Sequence, residues 1–243
     1  MLRPSLVTCL AALPLMLVEP TTSAPALEPL PATATLAVQE SFLPLPADGT
    51  TLSIETGTSL RSLVEQMGML TGVLFRSDAE TWGMLESLPC GLDRATQVES
   101  GDAWRFVNDL LLSNGLHLTG LRTDGPYLLE ILSQQNRNNS LARTRAVLVD
   151  VDSLPTLSDY SAMIVETQVA LEAADSRQVS NSLRSLISDH NSSMMLPVGD
   201  TNSVMVTGPL SQVQRITKIM RDADRGLVQL RAAQSADAPP QGE

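Results

Sequence analysis

The chain's hydrophobic pattern is clearest at residues 163–172. Met163, Val165, Thr167, Val169 and Leu171 alternate with Glu166, Gln168, Ala170 and Glu172, and a period of two predicts a half-buried strand. Asp175 follows as a helix N-cap, with Gln178 three residues on to close a capping box. Val179, Leu183, Leu186 and Ile187 then supply one apolar helical stripe. A strand over 194–198, a Gly199-Asp200-Thr201-Asn202 turn and a strand over 203–207 come next, the last with Val204 and Val206 facing inward. Gly208-Pro209 breaks the pattern and starts a helix whose expected buried face is Val213, Ile216, Ile219, Met220 and Ala223. The order over 161–226 is strand, helix, strand, strand, helix. A three-stranded sheet under two helices buries both stripes. That topology is shared with KH-type RNA-binding folds, though the chain has no basic GxxG loop.

A second patterned region covers 50–133. Leu52 and Ile54 share a strand face. Leu60, Leu63, Val64, Met67 and Leu70 repeat at helical spacing after Thr58-Ser59, and Gly72 suits a left-handed cap. A strand over 73–76 follows. Residues 77–100 carry the weakest pattern and suggest a strand near 85–92. Asp102 then starts a helix with Trp104, Val107, Leu110 and Leu111 inside, and Asn114-Gly115 ends it. Residues 116–121 and 127–132 form a hairpin around Thr123-Asp124-Gly125-Pro126. The fold class is therefore α+β: two small mixed domains, each a short sheet packed by two helices. The polar segment 134–160 is the expected linker, with a short strand at 146–151.

Residues 1–26 read as a secretory signal, with Arg3 ahead of an apolar, proline-interrupted stretch and Ala24-Pro25-Ala26 as the cleavage pattern. Residues 27–49, rich in proline, alanine and threonine, form a flexible lead-in, and 227–243 a disordered tail. The expected location is exported and periplasmic, with no transmembrane segment after signal cleavage. A net charge of -11 argues against nucleic acid, because phosphates are repelled. Cys90 is the one cysteine beyond the signal, so no internal disulfide framework is expected. It reads as a buried small hydrophobe, with an intermolecular disulfide as the alternative.

The stretch VALEAADSRQVSNSLRSLI (169–187), the run D-T-N-S-V-M-V-T-G at 200–208 and the helix ending Met220-Arg221-Asp222-Ala223-Asp224 resemble the repeated, NolW-like periplasmic N-domain of bacterial secretins. These are the outer-membrane ring proteins of type II and type III secretion and of type IV pili. Thr201-Asn202 matches the family's hairpin, and Ala223-Asp224 stands where the family usually has leucine-aspartate. The turn before Thr201 is shorter than usual and lacks the common arginine. Leu70-Thr71-Gly72-Val73 and Leu111-Leu112-Ser113-Asn114-Gly115-Leu116 are similar to the secretins' first N-domain, which also occurs as a short signalling domain in TonB-dependent receptors. The resemblance implies a non-enzymatic interaction module of a type II secretion or pilus-like complex, acting in its assembly or gating. Implied partners are secretin-type or other envelope secretion and pilus proteins, and a homo-oligomeric ring. A full secretin continues into a pore region, which this sequence is not expected to supply.

No catalytic, cofactor-binding or metal-binding constellation stands out. A Cys90–His117 or Cys90–His190 pair would need a matched base and pocket for nucleophilic work, and acidic residues are not grouped at ligand spacing. The expected site is instead an interaction edge on the 194–207 hairpin: Met194, Met195, Leu196, Ser203, Met205 and Thr207, with Pro197 blunting it. Two other readings remain. One is a free-standing periplasmic ligand- or peptide-binding signalling module; the other is an exported hydrolase using Cys90.

Overall fold

The computed structural model describes residues 42–134, 144–187 and 192–236. The signal, most of the lead-in, the middle of the linker, His190 and residues 237–243 lie outside the described residues.

In the N-terminal half, β1 (Thr51–Ile54) pairs antiparallel with β3 (Thr96–Glu99), setting Leu52 opposite Val98. Helix α1 (Leu60–Thr71) is opened by the Ser59 hydroxyl, which accepts from the Ser62 N–H at 3.2 Å. Gly72, at φ 72°, closes it in the left-handed conformation. Next come β2 (Leu74–Arg76), α2 (Ala79–Ser87), α3 (Ala103–Ser113), β4 (Leu116–Arg122) and β5 (Leu128–Ser133). The second sheet of this half runs β2-β5-β4, with β2 parallel to β5. This half thus carries two sheets and three helices, more than the single sheet and two helices expected.

The extra helix is α2, where the sequence suggests a strand near 85–92. Asp78 decides it locally, accepting from the Thr81 N–H at 2.7 Å as an N-cap. Leu85 then faces the core. Extended pairing survives only just beyond the helix: Leu60 N–H donates to the Leu88 carbonyl at 2.9 Å and Cys90 N–H to that of Thr58 at 2.8 Å.

The C-terminal half contains β6 (Val147–Leu148), a 3-10 segment (Leu154–Tyr160), β7 (Ile164–Ala170), α4 (Ser176–Leu183), β8 (Met194–Val198), β9 (Ser203–Pro209) and α5 (Leu210–Ala236). Its sheet order is β6-β7-β9-β8. Strand β6 is the short strand of 146–151, and it joins parallel to β7 as a fourth member. A Cβ on Gly208 of β9 would stand 2.8 Å from the Ser193 hydroxyl, which donates to Gln212 and would have to shift.

Helix α5 departs from expectation twice. Its buried stripe is Leu210, Val213, Ile216, Thr217, Met220 and Asp224, whereas Ile219 is 36% exposed and Ala223 is exposed. At about 100° per residue, positions 219 and 223 fall to one side of that stripe. The helix also continues through Ala236, across residues 227–236 that the sequence assigns to a disordered tail. Leu227 and Leu230 are exposed there, so burial fades while helix-forming Leu, Gln, Arg and Ala persist.

The halves share one core. Trp104 on α3 lies 5.9 Å from Tyr160, ring to ring, and Phe42 lies 5.6 Å from Tyr160 on another side. The Tyr160 hydroxyl accepts from Leu43 N–H at 3.2 Å, and the Trp104 indole donates to the Pro44 carbonyl at 2.9 Å. Residues 42–46, expected as flexible lead-in, are therefore held at this seam by two aromatic rings and two hydrogen bonds. Burial raises the Tyr160 pKa; the bond from Leu43 opposes the rise and the nearby Asp159 charge adds to it. Leu118 N–H donates to the Ala162 carbonyl at 2.9 Å, so β4 touches the start of β7.

Candidate interaction surface

The turn between β7 and α4, residues 171–175, carries no secondary structure to satisfy its backbone, and two distant side chains do so. Asp224 accepts from the N–H groups of Glu172, Ala173 and Ala174 at 2.9, 2.8 and 2.7 Å. Asn202, in a left-handed conformation at φ 46°, donates to the carbonyls of Leu171 and Ala174 and accepts from Ser176 N–H. Burial pushes the Asp224 pKa up, yet the three N–H donors, helped by the Arg231 charge, outweigh it and hold the carboxyl below its ordinary value. The asparagine of Thr201-Asn202 and the aspartate of Ala223-Asp224 thus serve one loop, which locks the hairpin and α5 to the exit of β7.

The strand register shows which residues of the sheet share a face. Paired residues in the register are Thr167 with Val206, Val169 with Val204 and Val206 with Met195. These side chains are buried and form the face under α4 and α5. The alternate pairs, Glu166 with Thr207, Gln168 with Met205, Leu196 with Met205 and Met194 with Thr207, share the opposite face. Leu148 on β6, in register with Glu166, joins them and is 76% exposed; Leu196 is 44% exposed. Met194 and Met205 are half-buried. Between them, Thr207 donates to Glu166 at 3.0 Å and Gln168 to Ser203 at 2.8 Å. The result is a mixed face, with Leu148 at one edge, Leu196, Met194 and Met205 at the other, and two polar side-chain bridges between them.

The six residues of the expected edge are divided by this geometry. Met194, Met195 and Leu196 lie on β8, which is the outer strand of the sheet. Ser203, Met205 and Thr207 lie on β9, flanked by β7 and β8, so their backbone cannot receive an added strand. Five of the six share the face opposite the helices, though Ser203 and Thr207 are each 1% exposed on it and only Leu196 is exposed; Met195, 5% exposed, points the other way. Alternation in the sequence shows which residues face together; strand order, which decides the edge, is not contained in it.

Cys90 is buried in the N-terminal core, and burial raises its thiol pKa, the direction opposite to nucleophile activation. His117, 4% exposed, instead lines a cleft of about 440 Å³ between the halves, together with Leu112, Gln134, Ser192, Gln212 and Arg215. Among the described residues no cluster of His, Cys, Asp and Glu could hold a metal ion, and no helix is long and apolar enough to cross a membrane.

No family model matches the chain, and no curated protein matches it. Among solved structures it is similar to the Klebsiella pneumoniae type II secretion system outer membrane complex of PulD, PulS and the PulC HR domain. That match has 14% identity and a TM-score of 0.49, and covers 70% of this chain and 26% of that one. It is also similar to the GspC–GspD complex of enterotoxigenic Escherichia coli, with 16% identity, a TM-score of 0.25 and coverage of 72% and 99%. The N-terminal domain of the secretin XcpQ from Pseudomonas aeruginosa matches with 10% identity, a TM-score of 0.24 and coverage of 72% and 65%. This chain spans about a quarter of the length of the first. At these identities and scores the likeness carries no functional argument.

Proposed function

We propose that this chain is a non-enzymatic periplasmic interaction module of a type II secretion or pilus-like export complex. It binds a secretin-type component, or further copies of itself, through the face of the β6-β7-β9-β8 sheet opposite α4 and α5. The observation that carries this reading is that face: Leu196 is exposed on β8 with Met194 and Met205 beside it, and Leu148 is exposed on β6 at the other edge, across Glu166 and Thr207. Exposed apolar side chains at both edges of one sheet face, on an otherwise acidic protein, favour a protein partner. The sequence resemblance to secretin N-domains supports the choice of partner class, since its matched residues, Asn202 and Asp224, hold the turn that joins β7 to α4. Leu148→Lys with Leu196→Lys is the test. The unaltered chain is expected to self-associate or to co-purify with a secretin-type protein from envelope extract, and the double variant to do neither while keeping its circular dichroism. Equal recovery with both chains would remove the reading.

The cleft at His117 and Arg215 favours a second reading, a small-molecule-binding signalling module. Retention of a small molecule through purification, seen by native mass spectrometry and lost in Arg215→Ala, would favour it over the first.

A further inference from the structure

A second groove lies elsewhere, between α5 and the 3-10 segment Leu154–Tyr160, with a volume of about 600 Å³. Two ties set its width. Gln214 donates to the Leu154 carbonyl at 2.6 Å, and Arg221 donates to Asp152 at 2.7 Å. One wall is apolar, formed by Val151, Leu154 and Pro155; the other presents Thr217, Lys218, Arg221 and Arg225, with Asp222 as its one carboxylate. Thr217 is 4% exposed and its hydroxyl has no hydrogen-bond partner among the described residues. Lys218, the only lysine in the chain, is exposed and forms no ion pair among them. Arg225 is held by Asp222 alone, at 3.6 Å on the surface. In a chain of net charge -11, a wall of three cations against one carboxylate, with an unsatisfied buried hydroxyl among them, is a local inversion of charge. Such groups gain most from a carboxylate.

We propose that this groove binds an extended segment of a partner protein in which aliphatic and acidic side chains alternate. From Gln214 to Arg225 the helix rises about 16 Å, the length of roughly five extended residues. Alternation sends aliphatic side chains toward Leu154 and Pro155 and carboxylates toward Lys218 and Arg225. The groove is separate from the open sheet face, and either can fail while the other stands.

The single lysine makes the test direct. Isotope-labelled formaldehyde dimethylates Lys218 and the N-terminal amine of the full chain while keeping their charge, and Lys218→Arg assigns the lysine signal. A blocked peptide of alternating leucine and glutamate is expected to shift that signal saturably, with a midpoint below about 1 mM. Its leucine–glutamine counterpart and inorganic phosphate should leave the signal nearly still. By fluorescence anisotropy of the labelled leucine–glutamate peptide, Lys218→Met and Thr217→Val should each weaken binding about five-fold or more, and Leu196→Lys should not change it. A lysine signal that ignores the acidic peptide, or follows phosphate or the glutamine peptide equally, overturns the proposal.

Discussion

The outer faces of the β2-β5-β4 and β6-β7-β9-β8 sheets differ in character and in burial. On β4 and β5 the face turned away from Leu118 and Ile131 carries His117, Thr119 and Glu130, which are 4%, 0% and 7% exposed. Arg145, just before β6, reaches Glu130 in an ion pair, and Arg76 on the neighbouring strand adds a second at 3.7 Å. On the other sheet the face opposite α4 and α5 carries Leu148 and Leu196 exposed and Met194 and Met205 half-buried, beside buried Ser203 and Thr207. Polar His117, Thr119 and Glu130 are inside, while apolar Leu148 and Leu196 are outside. Polarity along a strand therefore locates its two faces, and the path of the rest of the chain decides which is covered.

The sharpest way to break this comparison uses neighbouring positions on β9. Val206 is 1% exposed beneath the helices, and Met205 is half-buried on the open face. Val206→Asp places a carboxylate in the core and should cost about 4 kcal/mol or more. Met205→Asp should cost about 1 kcal/mol or less. Urea denaturation of the two variants checks this, and equal losses would mean that the open face is covered.

The next effect comes from the lock at the exit of β7. Asp224→Asn exchanges one acceptor oxygen for a donor facing a backbone N–H, and should cost about 2 kcal/mol. The pH dependence has a definite sign. The folded pKa lies below the unfolded one, so Asp224 contributes its full stability above the unfolded value. That contribution is lost below about pH 4, as the pH falls through the folded value. Acid unfolding of Asp224→Asn should show a correspondingly shallower loss in that range.

Glu130→Gln probes the buried polar face. The substitution leaves Arg145, with a third of its side chain exposed, facing a neutral amide, and should cost about 1–2 kcal/mol because water reaches the guanidinium. Thermal unfolding at low and high salt checks it. A loss that disappears at high salt would show that Glu130 acts as a surface charge.

The legibility of these regions followed the range of the forces involved. Strand β7, the α4 cap at Asp175 and the 194–207 hairpin are local patterns, and each is present where the sequence places it. Helix α2 was hidden because Leu85, Leu88, Cys90 and Leu92 alternate loosely enough to suggest a strand, while the Asp78 cap lies outside that run. The inclusion of Phe42, Leu43 and Pro44 in the seam depends on Trp104 and Tyr160, 60 and more residues away, and no local pattern records that. The open face was half legible: Met194, Leu196 and Met205 belong together by alternation, but β9 lies inside the sheet because β7 takes its other side. Lys218 and Thr217 were missed. The signal available for them was the chain's only lysine, on a helix that also bears Arg215, Arg221 and Arg225.

The smallest effect has the opposite sign. Thr167 sits at the centre of β7, 0% exposed beneath the helices, and its hydroxyl has no hydrogen-bond partner among the described residues. A buried hydroxyl without a partner loses its hydration and gains nothing in return. Valine has nearly the same shape and an equal or better strand preference. Thr167→Val should therefore stabilise the chain by about 1 kcal/mol, read as a higher urea midpoint with an unchanged slope. A loss of stability would instead mean that the hydroxyl is satisfied in solution, by an internal water between β7 and α5. The covered face would then be less dry than its valines suggest, and its contrast with the open face correspondingly weaker.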